Sequence, residues 1–154
     1  MIRLKLPSSM LYRDLAMRMV TSACKLVQAS RVDRRTGRTR PDREFDDQVI
    51  SAFGEAFNNA VLHSYGPGGG DLEIEVELLA DRMTIRLMEY GRTFDMAGVP
   101  EPDLDSLPES GLGLFIMRSC MDDVTYLPGK PNVLTMTKFL AHDDDIRVDD
   151  VAGD

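Results

Sequence analysis

Glu55, Asn59 and His63 recur four residues apart in the run 53–65, so at about 100° per residue their side chains leave a helix along one slowly turning stripe. The carboxylate and the carboxamide, on adjacent turns, point at one place. A carboxylate takes a proton or orients a water. A carboxamide offers a hard oxygen suited to Mg²⁺, which keeps several waters and is held by few protein groups plus phosphate oxygens. The pair suits nucleotide chemistry; on a helix standing alone it would equally be an exposed stripe with a local hydrogen bond.

Two later stations add to it. Glu89-Tyr90-Gly91 ends an alternating stretch, and an acid two residues before a strand-end glycine can accept a hydrogen bond from a purine amine. Gly111-Leu112-Gly113 opens an apolar run, where glycines at a helix N-terminus let backbone N–H groups approach a phosphate. A turn glycine after an exposed Glu, and a tight loop-to-helix turn, are the plainer readings of each.

The elements that must position these residues follow from periodicity. Phe45, Val49, Phe53, Phe57 and Val61, beside Ala52, Ala56 and Ala60, make the helix carrying Glu55 and Asn59 a core helix. Met1–Leu6 alternates as a strand, and Pro7-Ser8-Ser9 ends it and offers a cap for a helix from Met10 to about Ala29. That helix repeats Leu11, Leu15, Met19, Ala23 and Val27, flanked by further apolar residues, a face broader than one core stripe needs. Part of it is therefore expected to meet a second copy or a partner.

Residues 71–92 read as a hairpin, with Leu72, Ile74, Val76 and Leu78 facing inward, then Met83, Ile85 and Leu87. Gly111–Met121 reads as a helix with Leu112, Phe115, Ile116, Ser119 and Cys120 on its less polar side, and Val124–Tyr126 and Val133–Leu140 as a last hairpin. Three segments carry no such pattern. Arg31–Arg43, with six arginines, is a connector or a docking patch for an acidic surface; 92–110 is a lid or binding loop; and 141–154, with six aspartates, is an expected disordered tail beyond a single domain at 1–140. The order predicts an α+β two-layer sandwich: a mixed, mostly antiparallel sheet with helices on one face.

The 154 residues are 43% hydrophobic and 29% charged, ordinary for a soluble domain. A net charge of −8 argues against nonspecific binding of nucleic acid and favours a protein partner. No apolar run reaches the about 20 residues of a membrane span and no secretion signal is recognisable, so a cytoplasmic protein without membrane contact is expected. Cys24 and Cys120, far apart and without a CxxC, read as buried reduced thiols.

Taken together, three blocks resemble the anti-sigma-factor serine kinases within the histidine-kinase-like, or GHKL, ATPases. They are Glu55-Ala56-Phe57-Asn58-Asn59-Ala60 with His63-Ser64-Tyr65, then Glu89-Tyr90-Gly91-Arg92-Thr93-Phe94-Asp95, and Ser110-Gly111-Leu112-Gly113-Leu114-Phe115-Ile116-Met117. The likeness runs from about Leu4 to Leu140. It implies a Bergerat-type ATP site in which Asn59 holds Mg²⁺ and Glu55 is the general base for a serine or threonine of an antagonist. His63, Glu89, Gly91, Phe94, Gly111, Leu112, Gly113 and Leu114 would line the nucleotide. It also implies a homodimer that holds a sigma factor until an unphosphorylated anti-anti-sigma (STAS-type) antagonist displaces it.

Two features depart from the family pattern. Glu89 stands where the family has Asp, so its extra methylene must be absorbed by a shift of the base or by a water. No Lys or Arg occurs between Thr93 and Met117, whereas Glu101, Asp103, Asp105 and Glu109 all do. Such a lid gives little positive charge to a γ-phosphate. The rival reading is a module of the same fold that holds partners without turnover, with weak or absent nucleotide binding.

Overall fold

Alternation along the strands builds the sheet. The computed structural model describes residues 1–29, 42–63, 69–93, 95, 98 and 112–140. Strands β1 (Ile2–Pro7), β2 (Asp71–Leu78), β3 (Arg82–Glu89), β4 (Asp123–Leu127) and β5 (Asn132–Phe139) form one sheet in the order β1-β2-β3-β5-β4. All four pairings are antiparallel, in keeping with the mostly antiparallel sheet expected.

Register lines up apolar residues from every strand on one face. Ile2, Val76, Ile85, Met136 and Val124 form one row, and Leu4, Ile74, Leu87, Leu134 and Tyr126 the next. A third row begins in the same way with Leu6 and Leu72 but continues as Glu89 and Asn132, both buried. The opposite face is charged: Arg3 Nε lies 2.7 Å from Glu75, Arg86 Nη2 3.2 Å from Glu77 and Lys5 Nζ 3.0 Å from Glu73. A row of partly exposed ion pairs adds little stability, but it keeps that face wet and the core on the other.

Helices cover the apolar face. After a 3-10 turn at Met10–Tyr12, capped by Ser9 Oγ accepting from Leu11 N–H, come α1 (Arg13–Ala29) and α2 (Arg43–His63). In α2 the expected stripe is buried from Phe45 to Ala60, with Phe53 and Phe57 at the centre. In α1 the buried stripe is Ala16, Val20, Ala23, Cys24 and Val27, while Leu11 is 83% exposed and Leu15 52%. Spacing by four turns about 40° per step, so a stripe counted from Leu11 drifts off the core, and the 3-10 turn breaks its phase. No helix among the described residues is long and apolar enough to cross a membrane.

Gly54, in the middle of α2, is where α1 crosses closely. A Cβ there would stand 3.1 Å from Arg13 Nη2, and Arg13 Nε donates to Asn58 Oδ1 at 3.0 Å. Gln28 pins the start of α2: its Nε2 donates to Asp42 O at 2.9 Å and Asp46 Oδ1 at 2.6 Å, and its Oε1 accepts from Asp42 N–H at 3.1 Å. Asp42 Oδ1 in turn accepts from Phe45 N–H at 3.0 Å, as a helix cap does. Arg43 is therefore helical rather than part of the connector, and 30–41 lies outside the described residues.

The third helix, α3 (Leu112–Cys120), presents a different side from the one expected. Leu114 and Met117 are buried, Leu112 is 42% exposed, and Phe115 and Ile116 are half-buried. Because five of its first six residues are apolar, periodicity alone does not choose a side; packing against α2 through Gly113 does. Both cysteines are free; Cys24 is buried, but Cys120 is only half-buried.

Candidate functional site

The polar stripe of α2 divides by one residue. Asn58 turns toward α1, where its Oδ1 is taken by Arg13, so it serves packing. Glu55 and Asn59 turn toward α3. A Cβ built on Gly113 would meet Glu55 Oε2 at 2.8 Å, Asn59 Nδ2 at 3.5 Å and Asn59 Oδ1 at 3.7 Å. With no side chain at Gly113, the Glu55 carboxylate can lie this close to the start of α3 without being displaced. A half-buried carboxylate and carboxamide thus share the space the glycine leaves, a donor set that fits a Mg²⁺ ion arriving with phosphate oxygens.

A second polar group sits at the end of β3. Glu89 is 4% exposed, and its Oε2 accepts a short hydrogen bond from Gly91 N–H. Its Oε1 accepts from Asn132 Nδ2 at 2.7 Å. Asn132, 0% exposed, also donates to Gly91 O at 3.3 Å, while its Oδ1 accepts from Gly129 N–H at 2.9 Å. The chain two residues after the acid thus folds back so that its backbone N–H meets the carboxylate. Each carboxylate oxygen keeps a further lone pair for a donor.

The structure brings Glu55, Asn59 and Gly113 into one cluster and Glu89 and Gly91 into another. Leu114 is buried in the core and Leu112 is exposed beside Gly113. The side chain of His63, the last residue of α2, lies outside the described residues, as do Phe94, Gly111 and most of 94–111. Asn132 is the site residue that sequence reasoning passed over. The usable signal was a polar residue opening a strand directly after the Pro128-Gly129-Lys130-Pro131 turn, where Asn commonly caps backbone N–H groups.

Residues 16–138 match the model of the histidine kinase-like ATPase domain, a span containing Glu55, Asn59, Glu89, Gly91, Gly113 and Asn132. The chain belongs to the histidine kinase-like ATPase domain family. It is 36% identical over 133 residues to the serine-protein kinase RsbW of Halalkalibacterium halodurans, covering 80% of each. The protein of the same name from Bacillus pumilus is 37% identical over 108 residues, covering 63% of this chain and 66% of that one. Among solved structures, the histidine kinase domain of the Erythrobacter litoralis blue-light activated histidine kinase superposes with a TM-score of 0.50 at 15% identity. The match covers 82% of this chain and 60% of that one, and it supports the histidine kinase-like ATPase fold alone.

Proposed function

We propose that the chain is an anti-sigma factor that binds ATP with Mg²⁺ and phosphorylates a serine or threonine of a STAS-type antagonist. What supports this most is the approach of Gly113 to Glu55 and Asn59, which gathers a proton acceptor and a hard oxygen ligand at a helix start. The names of the relatives, serine-protein kinases, support the same class of reaction.

In the reaction, Glu55 accepts the proton of the antagonist's hydroxyl. The freed oxygen forms a bond to the γ-phosphorus, the bond from that phosphorus to the β,γ-bridging oxygen breaks, and ADP leaves with the electron pair. Asn59 would hold the Mg²⁺, which when bound neutralises charge on the phosphate oxygens. Glu89 would accept the adenine amine, with Gly91 keeping the backbone clear of the ring. Catalysis by the chain's own residues is then positioning plus one proton transfer.

Partner switching in the cytoplasm follows from the same reading: sigma factor is held, and released when the unphosphorylated antagonist competes. The uncovered Met10, Leu11 and Leu15 support a surface there for a second copy or a partner. The test is calorimetric titration with ATP and Mg²⁺, followed by intact mass measurement of a co-encoded STAS protein after incubation with both. Binding and a gain of one phosphate are expected. Binding of a sigma factor with neither would leave a module that holds partners without turnover.

A further inference from the structure

The polar pair in the third row of the sheet stands where the first two rows are apolar. Glu89 and Asn132 are directly opposite each other on β3 and β5, and both are buried on the helix-covered face. A buried carboxylate and carboxamide in an apolar row are costly unless fully partnered. Here the partnering also fixes direction. Asn132 Nδ2 faces only acceptors, Glu89 Oε1, Gly91 O and, at 3.5 Å, Arg92 O, and its Oδ1 faces the Gly129 N–H, so its orientation follows from the bonds themselves.

We propose that Asn132 is a positioning residue for the base of the nucleotide: by holding Glu89 Oε1 opposite Gly91, it aims the carboxylate's remaining lone pairs at a 6-amino purine and against a 6-oxo one. This rests on the nucleotide reading above. A glutamate has one more rotatable bond than an aspartate, and without an anchor its carboxylate would sample several positions. With Gly91 N–H on one oxygen and Asn132 on the other, the longer side chain is held at both ends of its carboxylate. An acceptor-only group so fixed meets the adenine amine favourably. It faces the carbonyl oxygen of guanine with lone pair against lone pair, and the resulting unpaired groups are what give a polar site its discrimination. The same amide ties the base subsite to the turn at Gly129, so the contact is built from three separate stretches of chain.

The test measures ATP and GTP affinity by calorimetry for the wild type, Asn132→Ala, Glu89→Ala and the double variant, with thermal melting of each. The wild type should prefer ATP. Asn132→Ala should lower ATP affinity by about tenfold or more while leaving GTP within about twofold, because one charge-assisted hydrogen bond is lost and Glu89 is set free. In the Glu89→Ala background the same change should no longer alter the ATP to GTP ratio, since residues acting through one another are non-additive. Asn132→Ser, which keeps one donor, should fall between, and carries the test if the Ala variant does not fold. A preserved ratio in a folded Asn132 variant, an equal loss of both nucleotides, or a Ser variant that cannot fold would overturn the proposal and leave Asn132 a structural residue. A wild type that binds neither nucleotide instead defeats the underlying ATP reading, an outcome visible before any variant is made.

Discussion

A Cβ on Gly113 would stand 2.8 Å from Oε2 of Glu55, closer than a carbon and a carboxylate oxygen can lie without one of them moving. The glycine is inside α3, where its backbone freedom is a cost rather than a use. Its place there follows from the close approach of α3 to α2, and that approach is what sets Glu55 and Asn59 at the mouth of a helix N-terminus.

Gly113→Ala should therefore separate stability from activity. The far end of Glu55 can swing away at small cost, and alanine favours the helix by up to about 1 kcal/mol, so the melting temperature should be unchanged or raised. Phosphoryl transfer should drop at least about tenfold, because misplacement of a base by even one ångström is expensive in rate. Paired melting curves and initial rates check this; an active, equally stable variant would mean that Glu55 has no fixed role.

The Cys24 thiol makes a prediction about alkaline stability. Burial, aided by the nearby Asp46 charge, pushes it from its ordinary 9.0 up to about 12. The folded thiol's pKa lies above the unfolded one, so its stabilising contribution is complete below pH 9.0 and is lost as pH rises toward about 12. The slope from this group is at most about 1.4 kcal/mol per pH unit. Denaturant unfolding across that window should steepen with pH in the wild type and less in Cys24→Ala. In the native protein at neutral pH, a thiol reagent should label Cys120 well before Cys24.

The clamp of Gln28 on Asp42 and Asp46 gives a second pH-dependent expectation. Burial holds the Asp46 carboxyl above its ordinary range, opposed by the Gln28 hydrogen bond, which favours the charged form. With a raised folded pKa, Asp46 lends stability while protonated and loses that contribution as pH rises through the carboxylate range. Gln28→Ala removes the opposing bond and leaves the Asp42 N–H without its side-chain acceptor, so it should destabilise by about 1–3 kcal/mol. The loss should be larger at pH 7 than at pH 3. Equal losses in denaturant titrations at both would show that the Asp46 contact carries no weight.

Much of this was readable in the residues, for identifiable reasons. Strong alternation at 72–78 and 83–87, and the i, i+4 aromatics of α2, fixed the strands and the central helix, because burial on one face leaves a period in the sequence. The same logic failed on α3, whose nearly uniform apolar content hides which side meets α2, and on the start of α1, where Leu11 sits in a 3-10 turn out of phase with the helix and Leu15 lies off the core because spacing by four drifts about 40° per step. Glu55 and Asn59 could be paired by spacing, but only the fold divides Asn58 from Asn59 and gives the former to Arg13. Asn132 could be noticed as a polar residue opening a strand, but its role could not be read, since its partner Glu89 lies 43 residues away and meets it only through the β3–β5 register.

The central claim is that Glu55 is the base of a phosphoryl transfer and not part of a passive helix face. It is tested most directly by single-turnover transfer of labelled γ-phosphate from ATP to the purified STAS antagonist, comparing wild type with Glu55→Gln at saturating Mg²⁺. The account predicts that Glu55→Gln binds ATP within about threefold of wild type but transfers phosphate at least about a hundredfold more slowly, the usual scale for loss of a general base. Transfer by Glu55→Gln at a rate near that of wild type would contradict it.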